Sequence, residues 1–203
     1  MNIDINFDLS ISILFLGDSK VGKTNMIYRF VENKYSDEIL VTLGFDIKTK
    51  IIKIMNKNIL VKIFDTAGQE RFNAVTKSLF QKVQGIILVY DISNEESFNN
   101  INFWISQIND NFLNIKCILA GNKCDLKNER IISKKEGENL AKKNNFKFFE
   151  TSSKTGHNIN EIMNEIVSDI YKNNNFISEI KTLSLNDSIK SKSEHKKKRK
   201  NCC

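Results

Sequence analysis

The sequence predicts an α/β protein: a six-stranded, mostly parallel sheet with one antiparallel edge strand and helices on both faces. Three observations carry that expectation. Segments of strand and helix character alternate along the 203 residues, the order that gives parallel strands joined by helical crossovers. The run Gly85–Tyr90 is apolar without alternation, as in a strand covered on both faces. Finally, Asp46–Met55 and Ile59–Phe64 flank a short Asn56-Lys57-Asn58 turn, a hairpin that places one strand antiparallel at an edge.

Taken in order, residues 1–10 form a short N-terminal extension. Ile11–Leu16 is a β-branched run ending at Gly17, and Lys23–Asn33 has helical character. The hairpin follows, then Gly85–Tyr90, a helix near Glu95–Asn109 and a strand at Lys116–Ala120. A helix at Lys134–Lys143, a short strand at Lys147–Phe149 and a helix at Asn158–Tyr171 complete a body spanning 11–171. Phe146, Phe148 and Phe149 read as a buried strand, and Phe103 and Trp104 as core and boundary packing on a helix. Beyond Tyr171 the pattern dissolves into Asn, Ser and Lys, so 172–203 reads as a flexible basic tail.

Composition narrows the function. The chain is 40% hydrophobic and 9% aromatic, enough for a core, and it contains no run of 18 apolar residues. Met1–Ser10 lacks the basic start and apolar stretch of a secretory signal, which points to the cytosol. The net charge of +7 is concentrated: residues 172–203 carry +6 and the preceding 171 residues only +1. No broad phosphate-binding face follows, so nucleic acid is not an expected partner. Four cysteines without metal-ligand spacing read as neither disulfides nor zinc ligands, and Cys117 reads as a small core residue. His157 and His195 have no ligand-like neighbours in sequence.

Chemistry concentrates in a few strings. Gly17-Asp18-Ser19-Lys20-Val21-Gly22-Lys23-Thr24 matches GxxxxGK[ST] between a strand and a helix, the arrangement that turns backbone N–H groups around phosphates at a helix N-terminus. In such a loop Lys23 reaches the β- and γ-phosphates and the Thr24 hydroxyl binds Mg²⁺, which places the fold among P-loop NTPases. Asn122-Lys123-Cys124-Asp125 follows another strand, where α/β sheets carry ligand loops. A carboxylate such as Asp125 can accept from the ring N–H and the exocyclic amine of guanine, which adenine does not offer there. Asp65-Thr66-Ala67-Gly68-Gln69-Glu70 also lies at a strand end: Asp65 can hold the metal's water shell, the Gly68 N–H can meet a γ-phosphate, and Gln69 can orient water. Thr42 carries a hydroxyl able to complete the metal shell when triphosphate is bound, although an edge-strand threonine is the ordinary reading of that residue alone.

Together with Thr42-Leu43-Gly44-Phe45-Asp46, Asp65–Phe72, Val89-Tyr90-Asp91, Thr151-Ser152-Ser153-Lys154 and the terminal Cys202-Cys203, these strings make the chain resemble a Ras-superfamily small GTPase of the Rab family. The resemblance is collinear from about Ile11 to Tyr171. It implies GTP and GDP as cofactors with Mg²⁺ held through Thr24, Thr42 and Asp65, catalysis by Gln69 and Lys23, and a phosphate loop running from Gly17 to Asn25. Guanine would be held by Asn122, Lys123 and Asp125, helped by the backbones of Ser152 and Ser153, the stem of Lys154, and Tyr35 packing from above. Slow hydrolysis accelerated by an activator would release the segments around Thr42 and Gly68 on loss of the γ-phosphate.

The resemblance also implies partners: an exchange factor, an activator, a dissociation inhibitor or escort protein, and effectors engaging those segments with Ile47, Phe64 and Leu79, the protein itself being a monomer. The chain departs from the family pattern at Lys20, Phe64, Ile47, Leu79-Phe80 and Ser153. Lys196–Lys200 beside Cys202 and Cys203 pairs a polybasic patch with two lipidation sites, implying the cytoplasmic face of an intracellular membrane, a cytosolic pool, and a role in vesicle trafficking. Two other expectations compete. One is a nucleotide-locked scaffold with little turnover, prompted by Lys20; the other is a Ran-like nuclear carrier, prompted by the basic run. An Arf-type protein is disfavoured, because Asn2 follows Met1 where myristoylation needs glycine.

Overall fold

The computed structural model describes residues 6–37, 45–66, 83–111 and 115–173. The chain divides into two compact units, Met1–Ser168 and Asp169–Cys203, and the sheet belongs to the first. Its elements are β1 (Leu9–Leu16), α1 (Lys23–Glu32), β2 (Phe45–Ile54), β3 (Lys57–Thr66), β4 (Gly85–Asp91), α2 (Glu95–Asn99), α3 (Ile101–Asn111), β5 (Lys116–Asn122), α4 (Lys134–Lys143) and β6 (Lys147–Glu150). A last helix, α5, runs over 159–173.

The six strands lie in the order β2-β3-β1-β4-β5-β6. Only β2 is antiparallel, paired with β3 from Phe45↔Thr66 to Ile54↔Lys57; β1, β3, β4, β5 and β6 run parallel. All seven residues of β4 are buried, so the uninterrupted apolar run does sit covered on both faces. Because the strands are parallel, β1, β3, β4 and β5 all end on one edge of the sheet. Gly17, Asp65, Asp91 and Asn122 thereby come to a common rim.

Several expected boundaries move, each for a physical reason. The hairpin turns on Met55 and Asn56, both at positive φ (47° and 65°), rather than on Asn56–Asn58. Left-handed geometry at two central residues matches strand twist, and it draws Lys57 and Asn58 into β3. Asp8, just before β1, fastens that end: it pairs with Lys57 Nζ at 2.9 Å and accepts from the Asn58 N–H at 2.8 Å. The single helix expected over Glu95–Asn109 is two helices broken at Asn100, whose side chain serves elsewhere. The β6 aromatics Phe148 and Phe149 are only half-buried, as is Phe146, since β6 closes the sheet at its far edge. Phe103 is 45% exposed on α3, so it is not core packing, whereas Trp104 is buried.

Candidate nucleotide site

At the end of β1 the chain turns sharply into α1. Gly17 (φ 133°) and Gly22 (φ 96°) both lie where L side chains rarely go. A Cβ on Gly17 would sit 2.1 Å from the Val89 carbonyl oxygen, and one on Gly22 would sit 2.4 Å from Asn122 Nδ2. The two glycines therefore let the loop pass against β4 and β5. Gly22 caps α1 without any side-chain hydrogen bond, and the first turn holds no acid. The helix start keeps its positive end and its N–H donors for an outside anion.

Lys23 opens that helix yet is only 5% exposed, its ammonium donating to the carbonyls of Gly17 (2.7 Å) and Asp18 (2.6 Å). Burial pushes its pKa down to about 8, against the opposing pull of Asp65 and Asp18. A cation so desolvated is poised to be stabilised by an arriving anion. Asp65, 3% exposed near the end of β3, is paired with Phe15 of β1, and its charge acts on Lys23. The Thr24 hydroxyl and the Asp65 carboxylate are hard oxygen donors, the kind Mg²⁺ takes together with phosphates. Among the described residues no group of three acidic, His or Cys side chains makes an all-protein metal cage. The donor set thus fits a cation shared with a phosphate ligand. Lys20 is exposed and held at φ 64°, a strained setting for a residue with a Cβ.

The second half of the site hangs on Asn122, which is wholly buried. Its Nδ2 donates to the Val21 carbonyl at 2.8 Å, while its Oδ1 accepts from Thr151 Oγ1 and from the Ser153 N–H, both at 3.3 Å. One side chain thus joins the phosphate loop to the 151–156 loop. Lys123, at φ 65°, pairs its Nζ with Asp91 Oδ2 at 2.6 Å, and Asp91 Oδ1 accepts from the N–H and the hydroxyl of Ser93. Asp125 Oδ1 accepts from Ser152 Oγ at 2.5 Å, and Ser152 Oγ accepts in turn from the Thr155 N–H at 3.1 Å. Tyr35 donates its hydroxyl to Asp37 at 2.6 Å, which together with burial and the fields of Asp37 and Asp125 pushes the phenol up to about 12. Asn25 holds the same segment through reciprocal bonds with the Ser36 carbonyl and N–H.

The structure gathers Gly17–Asn25, Asp65, Asn122–Asp125 and Ser152–Lys154 at one rim. Thr42, Gly68, Gln69, Leu79, Cys202 and Cys203 lie outside the described residues. Ile47 is 45% exposed, but Phe64 opposite it is buried in the core, so Phe64 offers no outward aromatic surface. The expectation that it meets partners directly is corrected on that ground. Four further residues shape the site without having been singled out for it. Asp91 holds Lys123 as described. Asn100 and Trp104 donate to the two oxygens of Asp18 at 2.7 and 2.8 Å, so Trp104 is more than packing. Arg29, in the last turn of α1, donates to the carbonyls of Ser153 and Lys154, both at 2.8 Å. Local sequence offers no signal for such pairs, because the partners lie 32 to 125 positions apart.

Comparison with known proteins agrees with this geometry. The Ras family pattern matches residues 12–172. The chain is 40% identical to Ras-related protein Rab-13 of Mesocricetus auratus over 165 residues, 81% of each chain. It is 40% identical to Rab-3C of Mus musculus over 81% of this chain and 73% of the relative. To Rab-10 of Diplobatis ommata it is 39% identical over 81% and 82%. With that pattern spanning the sheet, the phosphate loop and the base-side loops alike, this chain belongs to the Rab family of Ras-superfamily small GTPases, enzymes that hydrolyse GTP to GDP.

Proposed function

We propose that this GTPase is a membrane-anchored switch, binding GTP and GDP at the rim just described and regulating vesicle traffic. The observation that carries the nucleotide assignment is Asn122, which ties Val21 of the phosphate loop to Ser153 of the base loop. A ligand spanning both loops must present phosphates at one end and a hydrogen-bonding base at the other. Lys23 and the α1 N-terminus would take the phosphates, and Thr24, Thr42 and Asp65 would hold Mg²⁺. Bound there, the ion neutralises charge on the phosphate oxygens. Asp125 would accept from guanine, with Lys123, Ser152, Ser153, Lys154 and Tyr35 framing the base, while Gln69 orients the attacking water and Gly68 meets the γ-phosphate.

Residues 11–171 make the GTPase domain in this reading, and 172–203 a basic tail lipidated at Cys202 and Cys203. Among the described residues no helix is long and apolar enough to cross a membrane. Attachment would therefore rest on the tail, whose basic run and paired thiols supply the two signals that stable anchoring needs. Regulators and effectors would read the Thr42 and Gly68 segments together with exposed Ile47.

The direct test compares Asp125→Asn with the parent protein for GDP and xanthosine diphosphate. Preference should move to xanthine, whose carbonyl needs a donor at that position; intact guanine affinity would refute the base assignment. For the anchor, a tagged protein is compared with its Cys202→Ser/Cys203→Ser double variant in cells. Membrane staining should disperse in the variant, and identical diffuse or nuclear staining would remove the trafficking role.

A further inference from the structure

We propose that Arg29 is a positioning residue for base discrimination, holding the 151–156 loop against the phosphate-binding helix so that Asp125 faces the base in fixed register while Asn122 ties that loop to the phosphate loop. This rests on the reading above that Asp125 accepts from guanine.

Arg29 sits in the last turn of α1, whose first turn forms the phosphate cradle. Its Nε donates to Ser153 O and its Nη2 to Lys154 O, both at 2.8 Å, while Nη1 donates to the carbonyl (3.1 Å) and Oδ1 (3.2 Å) of Asn33. A guanidinium is planar with its N–H directions fixed, so two successive carbonyls bound by one fork are oriented as a unit. Lysine, a point donor on a flexible stem, cannot reproduce that.

Each carbonyl that Arg29 holds begins a chain of bonds to the base-side residues. The peptide joining Lys154 to Thr155 gives its C=O to Arg29 and its N–H to Ser152 Oγ; Ser152 Oγ then donates to Asp125 Oδ1. Ser153 gives its C=O to Arg29 and its N–H to Asn122 Oδ1, and Asn122 Nδ2 reaches back to Val21 in the phosphate loop. Both chains therefore start at Arg29; one ends on Asp125, which meets the base, and the other passes through Asn122 to the phosphate loop. Gly156 lies at φ 84°, a backbone setting that L side chains rarely adopt, so the loop's turn beside Arg29 rests on that glycine. Charge-assisted bonds of this kind are the stronger class, so the anchor is not a marginal contact.

The test uses the full chain loaded with GDP or with inosine diphosphate, which lacks the exocyclic amine. Dissociation rates of both are measured for the parent, Arg29→Lys, Arg29→Met and Asp125→Asn, with a thermal melt for each. The parent should release inosine diphosphate faster than GDP. In Arg29→Lys, GDP release should accelerate by about ten-fold and the gap between the two nucleotides should narrow. Arg29→Met should go further in both respects, and amide exchange at Thr155 should quicken in the GDP-loaded variants. Should Arg29→Met fail to fold, Arg29→Lys decides. A lowered melting temperature with an unchanged ratio of release rates would make Arg29 merely structural and overturn the proposal. A parent that releases both nucleotides equally would instead overturn the base assignment itself.

Discussion

The two ends of the site are built from different materials. The phosphate end is backbone: glycines at 17 and 22, a left-handed Lys20, carbonyls that hold Lys23, and the open start of α1. The base end is side chain: Asn122, Lys123, Asp125 and Ser152, each held by partners on other elements. A phosphate is a symmetric cluster of acceptors that any array of N–H donors can cradle, so local chain shape suffices. A base must be told from other bases, and that needs particular donors and acceptors fixed in direction. Strain and close approach shape the first end, where Asn100 and Trp104 brace only the Asp18 carboxylate; long-range cross-bracing sets the second throughout.

That contrast can be broken, most forcefully at Gly17. Gly17→Ala adds a Cβ 2.1 Å from a strand carbonyl at φ 133°, where neither backbone can yield. Strain and overpacking together should cost about 3–5 kcal/mol, read by denaturant unfolding, with nucleotide retention lost alongside. Asn122→Ala removes the tie between the ends and leaves Val21 O, Thr151 Oγ1 and the Ser153 N–H to find other partners. A cost of about 2–4 kcal/mol is expected, together with faster GDP release from a still folded protein. If release were unchanged, the two ends would be independent. Lys20→Gly works in the opposite direction: relieving left-handed strain should stabilise the nucleotide-free protein by about 1 kcal/mol, seen as a higher melting temperature.

The smallest effect sits behind the base end, in the cap of α4. Ser133 and Glu136 form a reciprocal capping box, and the Ser133 hydroxyl and N–H hold the Glu136 carboxyl below its ordinary value of 4.5. A depressed carboxylate stabilises the fold above that value and loses its contribution as pH falls beneath it. Stability measured from pH 6 down to pH 3 should therefore fall less steeply in Ser133→Ala than in the parent.

Legibility in the sequence followed the same division. GxxxxGKT marks a turn whose geometry is local, and its glycines, lysine and threonine are where the spacing puts them. The Asn-Lys-x-Asp string was also legible, but its supports were not. Asp91, 32 positions before Lys123, reads as the end of a strand until the parallel pairing of β4 with β5 sets it beside Asn122. Trp104 reads as a core aromatic, and it is buried, yet its indole N–H belongs to Asp18. Asn100 reads as one residue of a continuous helix; the break there turns its amide toward the phosphate loop. Phe64 is expected by resemblance to meet partners, whereas it packs into the core cluster although it shares a sheet face with exposed Ile47.

The sequence by itself determined the alternation of strands and helices, the buried run of β4, the antiparallel hairpin, and the two strings that meet phosphate and base. These depend on periodicity, on glycine's freedom at positive φ, and on residue types at short spacing, all of which are local. The tertiary structure alone decided which distant side chains brace those strings. Hydrogen bonds between Arg29 and Ser153, Trp104 and Asp18, or Asn122 and Val21 exist only once the parallel sheet aligns its strand ends on one rim. Directional bonds act over about 3 Å of space whatever the distance along the chain, so their partners are assigned by the fold.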